Sequence, residues 1–160
     1  EHNPFQCNLG YQVSLSGKGE WEKKGDYIGK QALEKMKTDL KDGHKPYKLQ
    51  LVGFEIGGKP IDEYAPDFWL VSPGDGGDPC GFITSPWYHP EKGKNIAMGY
   101  VPFDGTLNAN GFPKWETGKK YKVHLPDIYA DTPGQPVDAV TVDVPFTESY
   151  NANTREVVKG

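Results

Sequence analysis

The stretch Gly81–Val101, GFITSPWYHPEKGKNIAMGYV, decides the reading of this chain. Phe82 and Ile83 are apolar, and Thr84 and Ser85 are small and polar, as in a strand. Pro86 and Pro90 bracket Trp87, Tyr88 and His89. Proline has no N–H for a sheet ladder, so the strand is expected to stop near Ser85. A stiff loop then displays the two aromatics. Lys92-Gly93-Lys94-Asn95 turns the chain, and a second strand resumes over 96–101. Loops on a rigid scaffold often carry function. The other reading is a structural hairpin whose aromatics cover the end of a core.

From Tyr47 the apolar period is two. Leu49 and Leu51 share one face, while Val52, Phe54 and Ile56 bury the other, as in a sandwich or barrel. Further strands are expected over 68–72, 121–125 and 137–144. Gly57-Gly58-Lys59 and the run from Pro73 to Asp78 carry turn chemistry. Before all this, Leu9 to Leu15 alternates briefly. One helix follows: Asp26 suits its N-cap, and Ile28, Ala32, Leu33, Met36 and Leu40 fall on one face. Gly43 is its expected stop. The fold class is mainly β, an antiparallel Greek-key or jelly-roll-like barrel after a short α/β segment with one helix. The expected division is 1–45, 46–146 for the barrel, and 147–160 for a polar tail.

At 160 residues with formal net charge -4, the chain has length for one core and no basic patch for nucleic acid. Arg155 is its only arginine. No segment is apolar enough to span a membrane. Cys7 and Cys80 are far apart and are read as two buried free thiols in a reducing cytoplasm, a disulfide being the unsupported alternative. The chain opens without methionine, so a fragment or processed piece is expected.

No metal signature is present in the spacing of His2, His44, His89 and His124. Ser85 has no base evident in the sequence. Asp62, Glu63 and Asp67 cluster in a proline-flanked loop and read as solvated carboxylates. Trp69 is assigned to the core. Trp87, Tyr88 and Trp115 remain open between packing and an aromatic platform.

Several stretches resemble the aminomethyltransferase family, which includes the glycine cleavage T-protein and tetrahydrofolate-dependent demethylases. Asp26-Tyr27-Ile28-Gly29-Lys30-Gln31-Ala32-Leu33 resembles its helix signature. Asn3-Pro4-Phe5 and Leu9-Gly10-Tyr11 resemble the approach to that helix. Leu51-Val52-Gly53-Phe54-Glu55 is similar to its first barrel strand. Gly81 to Ser85, Pro90 and Asn95 to Val101 resemble its C-terminal run, and Val144-Pro145-Phe146 its close.

The resemblance implies the C-terminal portion of a longer enzyme. The upstream folate-binding domain would hold most of the tetrahydrofolate and the catalytic aspartate, so no catalytic residue is assigned here. Pro86-Trp87-Tyr88-His89 stands where the T-protein pattern has a small glycine-containing turn. Lys45 and Lys48 stand where relatives carry arginine. These departures favour a demethylase-like branch acting on a small methylated substrate, an aromatic methyl ether being the expectation. Ser85, Trp87, Tyr88, His89 and, more remotely, Trp21 are the residues expected to face substrate or folate. The competing expectation is a carbohydrate- or ligand-binding β-sandwich with an aromatic platform. A third is a structural barrel that packs on a partner through the Ile28/Ala32/Met36 face.

Overall fold

The computed structural model describes residues 2–13, 15, 27–64 and 67–146. A 3-10 turn, Gly10–Gln12, precedes helix α1 (Lys30–Lys41). Six strands follow: β1 (Leu49–Ile56), β2 (Trp69–Pro73), β3 (Gly81–His89), β4 (Lys94–Pro102), β5 (Lys120–Val123) and β6 (Val137–Val142). They close a barrel in the order β1-β4-β3-β2-β5-β6. Strands β2, β3 and β4 form a meander, and β1 lies beside β4, a Greek-key arrangement. The mainly β barrel with one helix is therefore as the sequence pattern indicates.

The chain divides into two compact units, Glu1–Leu51 with Pro102–Trp115, and Val52–Val101 with Glu116–Gly160. In the first, Phe5, Leu40 and Phe103 are buried, and Leu33, Met36, Tyr47 and Phe112 pack on them. Tyr47 stacks on Phe103 with ring centroids 4.9 Å apart. In the second, Val52, Phe54, Val71, Ile83, Val123 and Ala139 are inward-facing and buried. Phe54 meets Tyr121 edge-on at 5.8 Å. These positions alternate along their strands, so one face of each fills the barrel.

The helix starts later than its apolar spacing suggests. Gly29 adopts φ +88° at the N-cap, which takes Ile28 out of helical phase and leaves it fully exposed. Ala32 is exposed too, so the apolar stripe is Leu33, Met36 and Leu40. Asp26 lies outside the described residues. The C-terminus ends as expected: Gly43 takes φ +81°, its N–H bonds to Leu40 O, and the His44 N–H bonds to Asp39 O. That pair of bonds is a Schellman motif. The alternating run near Leu9 is a 3-10 turn instead of a strand.

The larger correction concerns Pro86. Strand β3 does not stop at Ser85; it continues to His89, pairing Pro86 with Ala97, Trp87 with Ile96 and Tyr88 with Asn95. A bulge between Ile83 and Ser85 shifts the register. Beyond that bulge the Tyr88 N–H points away from β4, bonding Ile61 O at 2.9 Å. Residues two apart orient alike in a strand, so the Pro86 nitrogen also points away from β4. Proline there removes no β3–β4 bond. The turn comes later, where Gly93 (φ +63°) donates its N–H to His89 O and Pro90 O.

Two stretches far apart in sequence meet at Gly53. A β-carbon there would lie 2.7 Å from Val144 Cγ1, 3.0 Å from Val142 O and 3.1 Å from Phe146 Cε1. Only a residue without a side chain lets 142–146 cross β1 so closely. Gly81 is tighter still, its position 2.0 Å from Tyr100 O.

Candidate functional site

The end of the barrel near the β3–β4 hairpin is organised by one amide. Asn95 is only 2% exposed. Its Oδ1 accepts the Ile61 N–H at 3.0 Å, and its Nδ2 donates to Gly57 O (3.2 Å) and Lys59 O (3.0 Å). Ile61 in turn accepts the Tyr88 N–H. The β1–β2 connection is thus laid along the hairpin, and its next residues, Asp62, Glu63 and Tyr64, are exposed. The Lys59 N–H bonds Tyr129 O at 2.8 Å, which brings in the 125–130 segment. Burial pushes the Tyr129 phenol above its ordinary range, and the Glu63 and Asp62 carboxylates push it the same way. The Tyr129 ring lies 6.1 Å from that of Trp69, a core residue as expected.

The hairpin tip is clamped on its outer side. Glu55 pairs with Lys94 at 2.7 Å and Lys92 at 3.7 Å. Nearby, a cavity of about 280 Å³ is lined by Glu55, Ile56, Gly57, Lys94, Asp138, Ala139 and Val140. Its charges are already engaged, because Asp138 pairs with Lys122 at 2.6 Å. The Lys122 ammonium, by hydrogen bond and charge, holds the Asp138 carboxyl below its usual range.

Of the expected site residues, Ser85 is exposed, and its Oγ donates to Thr84 Oγ1 at 3.5 Å. Trp87 is 50% exposed. Tyr88 and His89 are half-buried, and the His89 Nδ1 is buried with no hydrogen-bond partner among the described residues. Because they lie in a strand, Ser85, Trp87 and His89 share one face while Pro86 and Tyr88 take the other. Trp87 and Tyr88 therefore do not form one flat platform. Trp21 lies outside the described residues. Asp62, Glu63 and Asp67 are solvated, as expected. Cys7 and Cys80 form no disulfide and are half-buried, where full burial is expected from the sequence; partial burial pushes the Cys80 thiol up.

Some features were not legible in the sequence. Asn95 passes for a turn residue until its three partners are seen. Ser72, buried on β2, shares a 2.9 Å hydrogen bond with the Nε2 of exposed His124. This bond ties β2 to the end of β5. Gln50, 1% exposed, donates its Nε2 to Asn8 Oδ1 and Phe5 O, while its Oε1 and the Tyr47 hydroxyl are buried without partners among the described residues. No group of three or more His, Cys, Asp or Glu among the described residues is placed to hold a metal. No helix there is long and apolar enough to cross a membrane.

Comparison with known proteins agrees with this architecture. The chain is 36% identical over 104 residues to an aminomethyltransferase of Symbiobacterium thermophilum, covering 64% of this chain and 23% of that protein. It is 28% identical over 144 residues to the aminomethyltransferase of Chloroherpeton thalassium, covering 90% of this chain and 30% of that one. The chain thus spans about a quarter of the length of the curated relatives it matches. The crystal structure of the glycine cleavage system aminomethyltransferase T from Bartonella henselae shares the fold, with TM-score 0.60, 20% identity, and coverage of 92% of this chain and 33% of that one. Residues 50–148 match the model of the glycine cleavage T-protein C-terminal barrel domain, and the chain belongs to that family.

Proposed function

We propose that this chain is the C-terminal barrel portion of a tetrahydrofolate-dependent one-carbon transferase, on its demethylase side, and is not active alone. The observation that carries the reading is the family match over residues 50–148, in a chain that spans about a quarter of its relatives. Tetrahydrofolate, when bound, supplies the N5 that accepts the one-carbon group. Its chemistry fits a wall here better than a cradle. The exposed face of Trp87 suits a planar ring, and His89 Nδ1 is a buried polar atom without a partner among the described residues. Deep recognition of the cofactor is assigned to the folate-binding domain of the longer protein.

In this reading Ser85, Trp87 and His89 form the edge of a pocket shared with that domain, and Tyr88, on the opposite face of the strand, holds that edge in place. Asn95 fixes the Ile61 connection against them. Their task is to exclude water and hold the methyl donor in line, since alignment supplies much of the acceleration. Strand β3 in place of a flexible turn gives that edge rigidity. The substrate class favoured is a small aromatic methyl ether, which Trp87 would stack on, and the compartment is the cytoplasm. The test is turnover of methoxy-aromatics with tetrahydrofolate. The purified chain should show none, and the chain joined to a folate-binding domain should show it, weakened at least tenfold by Trp87→Ala. Turnover by the chain alone overturns the reading.

A further inference from the structure

The outside of the barrel is not uniform. Around β1, β5 and β6 it is charged, with Glu55, Lys122 and Asp138 all in ion pairs. Across β2, β3 and β4 it is mostly apolar, Lys94 at the hairpin tip excepted. The register sets Leu70 beside Phe82 and Phe82 beside Tyr100, then Ser85 beside Met98 and Trp87 beside Ile96. None of these residues is charged. Phe68 stacks on Phe82 with centroids 5.3 Å apart, and Phe82 lies 5.3 Å from Tyr100. Yet Phe68 is 65% exposed and Leu70 51%. A strand buried on one face alone should alternate apolar and polar. A cluster of exposed apolar and aromatic side chains marks a contact surface.

The relatives indicate what covers it. The matched segment is 23% and 30% of their lengths, and the family description places this barrel at the C-terminal end of the T-protein. Those proteins carry a long polypeptide ahead of the barrel, tethered and so at high effective concentration. We infer that the Phe68–Leu70–Phe82 face is the surface on which that preceding region docks, an inference that rests on the function proposed above. Trp87 continues the same face beyond the bulge, at the rim of the contact. The docked region thereby brings its own surface up to the proposed substrate edge.

The experiment mixes this chain with the part of the Symbiobacterium thermophilum aminomethyltransferase that precedes its barrel. Association is read by sedimentation and by amide hydrogen exchange. The expected result is a complex in which residues 68–71 and 81–85 exchange more slowly than in the chain alone. The double variant Phe68→Glu/Leu70→Glu should weaken it by about tenfold or more. Ile128→Glu, which changes an exposed apolar residue of the β5–β6 connection, should not. Exchange in the wild-type pair does not depend on the variant folding. The inference is overturned by no association, by no protection of β2 and β3, or by self-association of the chain that the double variant abolishes. Tetrahydrofolate binding by the pair is measured separately. Docking without folate binding removes the functional reading alone; folate binding with an unprotected face removes this inference alone.

Discussion

Asn95 and Ile61 are joined by a buried hydrogen bond of 3.0 Å, although 34 residues separate them. The same amide takes up two further carbonyls, so one side chain replaces a strand of backbone partners for the β1–β2 connection. Asn95→Ala strands the Ile61 N–H at a buried site and releases the C=O groups of Gly57 and Lys59, which water can reach. The expected loss is about 1–3 kcal/mol, mainly the desolvation cost of the one unpaired N–H. Urea unfolding measures it, and a midpoint equal to wild type would contradict the assignment.

Gly53 is expected to tolerate no side chain. A β-carbon placed 2.7 Å from Val144 Cγ1 and 3.0 Å from Val142 O must move a side chain and a backbone. Gly53→Ala should cost about 1–3 kcal/mol, as overpacking does. Val144→Ala in the same molecule should recover part of this and not all, since Val142 O remains. Thermal melts of the two variants check it.

Tyr47 makes a prediction at alkaline pH. Burial pushes its phenol well above the usual range, with Cys7 adding to the effect. A folded pKa above the unfolded one means stability is whole below about pH 10 and is lost as pH rises beyond it. Tyr47→Phe removes the ionising group together with a hydroxyl that has no partner among the described residues. Stability at pH 7 should then change by less than about 1 kcal/mol. The decline above pH 10 should be shallower. An alkaline profile identical to wild type would show that Tyr47 does not set it.

At the acid end the sign reverses. Lys122 holds the Asp138 carboxyl below its usual range. Its contribution is complete above the unfolded carboxyl value of about 4 and fades as pH falls through the lower folded value. Asp138 is 86% exposed, so the effect is small and screened by salt. Asp138→Asn should narrow the difference in melting temperature between pH 6 and pH 3, most visibly at low ionic strength.

Cys80 should be a sluggish nucleophile. Its thiol is pushed up mainly by burial, which outweighs the lowering by its backbone hydrogen bond and by Lys119. The thiolate is the reactive form, so labelling by a disulfide reagent should be slower than for a free thiol at pH 7.5 and should rise toward pH 10. Fast labelling at neutral pH in a Cys7→Ser background would disprove it.

The class of fold follows from local patterns along the chain. Period-two patterning at Val52, Phe54 and Ile56 and turn chemistry at Gly58 and Gly93 survive any tertiary detail, because alternation and positive φ are local properties. The family motifs were equally legible, since they occur in order along the chain. The long-range partners come only with the folded chain. Pro86 reads as a strand breaker until the direction of its nitrogen is known, and that direction is set by a bulge and by Ile61. Trp87 and Tyr88 read as a pair until the strand sends them to opposite faces. Asn95 reads as a turn residue until Gly57, Lys59 and Ile61 arrive around it. In each case a single residue has several locally acceptable roles, and the choice among them is made by hydrogen bonds and packing that close only when the barrel does.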